Sequence, residues 1–437
     1  MKKIITSILV MLAKRAVKRF RPQIIGVTGS VGKSSTKDAI AAVLESKYDV
    51  RKSQKSYNSE IGLAMAVLGI STAWNSPLGW LKNIWLGTRV AFGPSARFAE
   101  ASSRRAGRAG KKFPKILILE MGVDRPQDFD KLLKVARPDI GVVTAIGQIP
   151  VHVEFFSGPE AVAREKSKLI KILPSEGTAI LNFDDEVVWE MHEKTKAKVF
   201  SFGFGTESNL RASNYKIDLS GITFKLARDG ASVPIRLSKV YGKQHVYAAM
   251  AGASVGLAFG MNLIEISEAL QKYSAPPGRL KLIEGIKNSY ILDDSYNASP
   301  LATHAALDTL GDLQTKGKKI VVFGDMLEIG KYTIEAHKTL GQLAAKYAGY
   351  VITAGPRSKF TAEGAISNGI PKENVKSFST SDEAAPYVKE LIKKDDLILV
   401  KGSQGMRMEK VILEIMAHPE DAEKLLVRQD AYWLRHP

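Results

Sequence analysis

Apolar positions along this chain come in short unbroken runs bounded by polar loops, interspersed with stretches of helical spacing, the pattern of buried strands alternating with helices. Ile24-Ile25-Gly26-Val27-Thr28, Leu117-Ile118-Leu119 and Gly141-Val142-Val143-Thr144 predict buried strands, and Thr36 to Leu44 (TKDAIAAVL) predicts a helix directly after the first. Lys198–Phe204, Tyr215–Asp218 and Gly221–Leu226 read as an antiparallel appendage. Gly242-Lys243-Gln244-His245 then opens a helix rich in small residues, and Pro276-Pro277-Gly278-Arg279 marks a boundary. Beyond it, the strand Tyr290–Leu292 leads into an alternation of strands (Lys319–Phe323, Tyr350–Thr353, Leu397–Val400) with helices, the order of a Rossmann-like unit. No GxGxxG fingerprint accompanies that unit, so it is not expected to bind a dinucleotide.

The first twenty residues carry a different pattern. Ile4, Ile5, Ile8, Leu9, Leu12, Ala16 and Phe20 recur at helical spacing, and Lys14, Arg15, Lys18, Arg19 and Arg21 follow the apolar stretch. That stretch is too short to span a bilayer and lacks a small-residue cleavage site. Two readings remain: an in-plane amphipathic helix drawn to anionic lipid, or a helix packed on its own domain. Residues 71–115 repeat the theme, with Trp74, Trp80 and Trp85 followed by a basic tail from Arg97 to Lys115. Trp beside Lys and Arg suits a membrane headgroup zone, and equally an internally packed or partner-facing helix.

Composition sharpens this. The 437 residues are 45% hydrophobic and 25% charged, which excludes collagen-like, low-complexity and wholly disordered chains. Length points to two or three domains. The absence of cysteine excludes a disulfide scaffold, a thiolate metal site and a cysteine nucleophile, and fits a reducing compartment. Of the net charge of +18, residues 1–22 and 71–115 supply +15, so the remaining body is nearly neutral. No nucleic-acid recognition signature accompanies the charge, and no nucleic-acid partner is expected.

The chemistry begins after the first strand. Gly29-Ser30-Val31-Gly32-Lys33-Ser34-Ser35 lies between strand and helix, where a glycine turn presents backbone N–H groups to a phosphate at a helix N-terminus. Lys33 would reach the β- and γ-phosphates and Ser34 would hold Mg²⁺. The common Walker pattern has glycine where this chain has Val27, so the loop is a shortened variant. The fold class expected is α/β: a P-loop-type central domain with a mostly parallel sheet (22–278), preceded by the basic segment 1–21 and followed by a Rossmann-like domain (279–437). Glu120 ends the strand 117–119, where a carboxylate beside a P-loop can hold Mg²⁺ against the γ-phosphate.

The variant loop resembles that of the Mur ligases, ATP-dependent amide-forming enzymes of peptidoglycan assembly. An ordered series of segments narrows the resemblance to the MurF type: SYNSEIGLAMAVL (56–68), LILEMGVDRPQDF (117–129), GQIPVHVEFFSGPEAVAREKSKL (147–169), LNFDDE (181–186), ILDDSYNASP (291–300), VFGDMLEIG (322–330) and LVKGSQGMRME (399–409). The resemblance implies ATP and Mg²⁺, with UDP-MurNAc-tripeptide and D-Ala-D-Ala as substrates, in the cytoplasm or at the inner face of the membrane. It assigns His152 to a second metal ion and Lys166 to the position of a carbamylated lysine. It implies ATP contacts from Gly29, Ser30, Gly32, Ser35, Asn182, His245, Arg279, Asp294 and Asn297, with adenine near Asn182 and His245. Substrate contacts fall on Asn58, Asp325, Glu328, Lys401 and Ser403. Gln244 precedes His245 where the family carries His first, Val31 replaces the usual Asn, and Ser299 replaces the Asn of N-A-N-P. MurF-type enzymes also carry an N-terminal UDP-binding domain; here the loop's strand starts at Ile24, so the expectation is either a different hold on the sugar-nucleotide end or action on a carrier close to the membrane.

That resemblance implies acyl-phosphate ligation: a peptide carboxylate takes the γ-phosphoryl group, and an amine then displaces phosphate from the carbonyl. The rival readings are a folylpolyglutamate- or cyanophycin-type ligase of the same superfamily, and a membrane-bound nucleotide-sensing scaffold without ligase activity.

Overall fold

The structure is a computed structural model that describes residues 2–54, 57–93 and 113–435. The basic run from Arg97 to Lys112 therefore lies outside the described residues. Two sheets organise the rest. The first contains β1 (Gln23–Thr28), β2 (Val50–Lys52), β3 (Ile116–Glu120), β4 (Ile140–Val143), β5 (Thr178–Asn182), β6 (Lys198–Gly203), β7 (Leu210–Asp218), β8 (Gly221–Arg228) and β9 (Ala231–Ser238). Their order is β2-β3-β1-β4-β5-β6-β7-β8-β9. Pairing is parallel from β2 to β7 and antiparallel from β7 to β9. The expected antiparallel appendage thus begins one strand later than the sequence suggests, because the stretch 198–203 joins the parallel sheet beside β5.

The second sheet contains β10 (Lys281–Gly285), β11 (Ser289–Asp294), β12 (Lys319–Gly324), β13 (Tyr350–Ala354), β14 (Val375–Phe378) and β15 (Leu397–Lys401), in the order β10-β11-β15-β12-β13-β14. Only the edge strand β10 runs antiparallel. Both sheets are covered on both faces, which is why their parallel strands are continuous apolar runs. In β3, Ile116 and Ile118 enter one core while Leu117 and Leu119 enter the other, the period of two expected of a pleated strand.

The N-terminal helix, Lys2–Phe20, is part of the core that Leu117 and Leu119 enter. Leu9, Leu12, Ala13 and Ala16 are buried there with Leu63, Val67 and Leu117, and the Phe20 ring stacks on Phe113 at 4.4 Å. Part of the helix's apolar spacing thus serves packing on the first domain, while Ile4 stays exposed. The helix Pro77–Phe92 lies alongside, with Gly87 against Leu12 and Leu68, where a Cβ would sit 3.1 Å from either side chain. Trp74 stacks on Tyr432 of the C-terminal tail at 4.2 Å, so one of the three tryptophans ties the first domain to that tail.

Truncating Leu12 to Ala removes a side chain from a packed interior and is expected to lower unfolding stability by about 2–5 kcal/mol, read by chemical denaturation. No change would mean the helix contributes nothing to the fold.

Candidate active site

The carboxyl ends of the parallel strands of both sheets meet across a cleft, the location expected for ligands in open α/β sheets. From the first sheet come the loop after β1, Glu120 at the end of β3, Thr144 after β4 and Asn182 at the end of β5. From the second come Asp294 at the end of β11, Lys401 at the end of β15 and Asp325 after β12, on three neighbouring strands.

The glycine loop is held from beneath. Ser30 and Val31 N–H groups both donate to the Ala145 carbonyl, at 2.7 and 3.2 Å, and the Thr144 hydroxyl donates to Val31 O at 2.5 Å. Two of the loop's N–H groups are thereby used, and the N-terminus of the helix Lys33–Leu44, directly after Gly32, is the end of the loop suited to receive an anion. Gly29 and Gly32 have φ of 147° and 87°. A Cβ on Gly29 would lie 2.0 Å from the Thr144 hydroxyl, so only glycine lets the loop sit this close.

Two lysines converge on one carbonyl. Lys33 Nζ donates to Gly29 O at 2.8 Å, and Lys166 Nζ, from the helix Pro159–Lys171, donates to the same oxygen at 3.1 Å. Burial lowers the pKa of Lys33, although Glu120 opposes it. Lys166 is driven well below the ordinary lysine value, first by burial and then by the charge of Lys33. Asp124, which the sequence reading passed over, supports the charged forms of both lysines and also lies 3.3 Å from His152 Nε2. His152 Nδ1 lies 2.8 Å from Glu328 of the second domain, so His152 joins the two halves.

Ser34 and Glu120 are adjacent: the hydroxyl donates to the two carboxylate oxygens at 3.2 and 3.0 Å, both groups being buried. Lys37 stands 3.9 Å from the same carboxylate. A hydroxyl and a carboxylate are the hard oxygen donors that Mg²⁺ takes, with phosphate oxygens and water completing its shell. Among the described residues no three His, Cys, Asp or Glu side chains converge on one point. Ser34 and Glu120 therefore fit a metal shared with a phosphate; a closed all-protein cage is not what this site offers.

Beside the loop the cleft widens to about 750 Å³ between the domains, lined by Gly32, Thr144, Asn182, Gln244 and Tyr247 on one side and by His304 and Asp308 on the other. Gln244 Oε1 and His304 Nε2 are buried there without a partner within the chain, which fits a cleft built to receive polar ligand edges. His304 carries no sequence signal; only the fold brings it opposite Gln244. Asn182 lines the cleft while its Oδ1 accepts from Asp184 N.

Residues 103–256 match the Mur ligase middle domain, and residues 278–404 match the Mur ligase, glutamate ligase domain. This chain belongs to the Mur ligase family. Among its relatives is the UDP-N-acetylmuramoyl-tripeptide–D-alanyl-D-alanine ligase of Bacillus subtilis (strain 168), 29% identical over 409 residues, covering 93% of this chain and 79% of that protein. The enzyme of that name in Escherichia coli (strain K12) is 26% identical over 397 residues, covering 89% and 76%. Two solved structures share the fold. MurF from Acinetobacter baumannii gives a TM-score of 0.75 at 23% identity, covering 93% of this chain and 79% of that one. MurF ligase from Thermotoga maritima in complex with ADP gives 0.73 at 22% identity, covering 96% and 84%.

Within this Mur ligase, His245 departs from the expected adenine contact. Lys243, Gln244 and Tyr247 line the cleft, but His245 points to the opposite face of the helix Lys243–Ala258 and is fully buried. Its Nε2 meets the Arg279 carbonyl at 2.9 Å and its Nδ1 meets the Tyr273 hydroxyl at 2.7 Å. A carbonyl only accepts, so Nε2 carries the proton and Nδ1 accepts from Tyr273, which in turn interacts with the Ser35 hydroxyl. Both ring nitrogens are spent, and Gln244 is the neighbour that lines the cleft. His245 thus fastens the domain linker to the phosphate loop. From the other side, Asp293 accepts from Gly278 N at 3.0 Å, and burial raises its pKa to about 6. Arg279 lies 4.1 Å over the Tyr296 ring, and its charge depresses Lys33 and Lys401 alike, so it faces the site from the linker.

The remaining residues of the second domain organise one another. Lys401 pairs with Asp294 at 2.5 Å and donates to Asn297 O at 2.9 Å. Asp325 Oδ1 accepts from the N–H groups of Arg357 and Ser358. Ser403 Oγ accepts from Leu327 N. Asn58 O accepts from Gly122 N, and its side-chain amide packs where a Cβ on Gly122 would sit. Asp325 and Ser403 accordingly shape loops, while Glu328, with His152, stands at the seam.

Burial lowers the His245 pKa from 6.5 to about 4, so the folded protein refuses a proton that the unfolded chain accepts. Stability contributed by neutral His245 is complete above pH 6.5 and is expected to fall as pH drops from there toward 4. Replacing it by Gln should flatten the pH dependence of the urea midpoint across that window; an unchanged slope would contradict the neutral, doubly bonded ring.

Proposed function

We propose that this Mur ligase joins D-Ala-D-Ala to a UDP-MurNAc-tripeptide in the cytoplasm, at the expense of ATP and through an acyl phosphate. The observation that carries the reading is the cluster around Gly29: Lys33, Lys166 and the Ser34–Glu120 pair, gathered at a helix N-terminus. The named relatives supply the substrate pair.

In this reading Lys33 leaves Gly29 O for the transferring phosphoryl group and neutralises its charge, with the N–H groups of Gly32 to Ser35 holding the other phosphate oxygens. Mg²⁺, held by Ser34 and Glu120, would supply further charge neutralisation on the phosphates. The peptide carboxylate attacks the γ-phosphorus, the bond to the β-phosphate oxygen breaks, and ADP departs. The uncharged amine of the dipeptide then attacks the activated carbonyl, phosphate leaves, and the extra proton of the amine is lost to solvent. Arg279, Lys401 and the His152–Glu328 contact lie at the seam where the domains must align both substrates, so catalysis rests chiefly on positioning.

Lys166 fits a carbamate. Carbamylation needs a neutral amine to attack CO₂, and burial beside Lys33 favours that neutral form. The product is an anion, which replaces lysine–lysine repulsion by attraction and adds oxygen donors near the phosphates.

Incubation with ATP, Mg²⁺, UDP-MurNAc-tripeptide and D-Ala-D-Ala should give the joined pentapeptide by mass spectrometry, with ADP release dependent on both acceptor and amine. Lys33→Ala should reduce the rate by roughly a hundredfold or more, as loss of a charged transition-state donor does. ADP release indifferent to both substrates would contradict the assignment.

A further inference from the structure

The helices Lys2–Phe20 and Pro77–Phe92 bury one side each against the first domain, and their outer sides remain apolar. On the second helix Leu78, Leu81, Trp85 and Phe92 are 78%, 63%, 56% and 53% exposed. Their spacing of three, four and seven residues places them on one side. On the first helix Ile4 and Met11, seven residues apart, are 66% and 56% exposed. The Arg15 guanidinium lies 4.5 Å over the Phe92 ring, which joins the two exposed sides into one surface, and Arg89 lies 4.8 Å over Trp85. Large apolar groups this exposed are not explained by folding, since burying any one of them would be favourable by about 1.5–3 kcal/mol.

The charge on this surface has one sign. Lys3, Lys14, Lys18 and Lys82 are exposed beside the apolar groups, and neither 1–37 nor 71–93 contains an Asp or Glu. A second copy of the same surface would bring cation against cation. An anionic protein partner would meet the charge but not a row of exposed leucine, tryptophan and phenylalanine flanked by lysines. That combination matches the interface of an anionic bilayer, where apolar side chains enter the acyl boundary and lysines stay among phosphates. Among the described residues no helix is long and apolar enough to cross a membrane.

We propose that this paired-helix surface docks the enzyme in-plane on an anionic phospholipid membrane. The proposal is independent of the ligase reading, because none of its residues reaches the cleft. Its test is co-sedimentation of the full chain with vesicles of phosphatidylcholine alone or mixed with phosphatidylglycerol. Binding is expected only to the anionic vesicles and should weaken with salt. Joint Lys14→Gln, Lys18→Gln and Lys82→Gln should weaken it roughly a hundredfold. Joint Leu81→Ser and Trp85→Ser should weaken it roughly tenfold or more. Neutralising the exposed Lys372, Lys376 and Lys394 of the second domain should leave binding unchanged. All these side chains are exposed, and unchanged thermal unfolding would verify that the variants fold. Recovery of the full chain in the supernatant would overturn the proposal, as would equal loss on neutralising the second-domain lysines. So would a concentration-dependent dimer that Leu81→Ser and Trp85→Ser abolish without any vesicle binding, which would assign the surface to a second copy.

Discussion

The carbonyl oxygen of Gly29 accepts from two lysines at once, Lys33 half-buried and Lys166 buried, and much of the first domain exists to make that arrangement hold. Two ammonium groups at one oxygen repel each other, and burial penalises both. Anions would relieve that repulsion: in the proposed reading, phosphate oxygens at Lys33 and a carbamate at Lys166. The rigid features nearby serve this point. Gly29 approaches Thr144 more closely than any side chain would permit, and Ala145 takes two loop N–H groups. Glu120, at the end of a fully buried strand, offers the compensating carboxylate.

The same loop is coupled to the domain linker. From Ser35 through Tyr273 and His245 to the Arg279 carbonyl, each polar group has a defined partner, and Asp293 holds Gly278 on the far side. The linker is therefore clamped between the two domains at the point where Arg279 enters the site. Anything that shifts Ser35 when a phosphate binds is felt at the linker, and the His152–Glu328 contact offers a second junction across the seam. An enzyme of this design aligns two substrates by closing on them.

Much of this was legible in the sequence, and the reasons are physical. Strands buried on both faces must be apolar throughout, so β1, β3 and β4 stand out. A loop that wraps phosphate needs glycine at fixed places and a lysine behind them, so 29–35 stands out as well. What the sequence could not show depends on which side of a helix meets a neighbour. Leu9 and Met11 are both apolar, yet one is buried and the other exposed, because only one faces the helix Glu60–Leu68 and β3. Gln244 and His245 are adjacent, and the turn of the helix sends the first to the cleft and the second to the linker. His304 joins the cleft only because the second domain folds over the first, and β6 extends the parallel sheet because β5 offers it an open edge.

Burial beside Lys33 disfavours the charged form of Lys166, the form that cannot take up CO₂. Carbon NMR of the full chain equilibrated with isotopically labelled bicarbonate tests this directly. The account predicts one carbamate resonance that disappears in Lys166→Gln and persists in Lys168→Gln, whose lysine is solvent-facing and paired with Asp130 and Glu165. No carbamate signal, or one that survives the loss of Lys166, would contradict it.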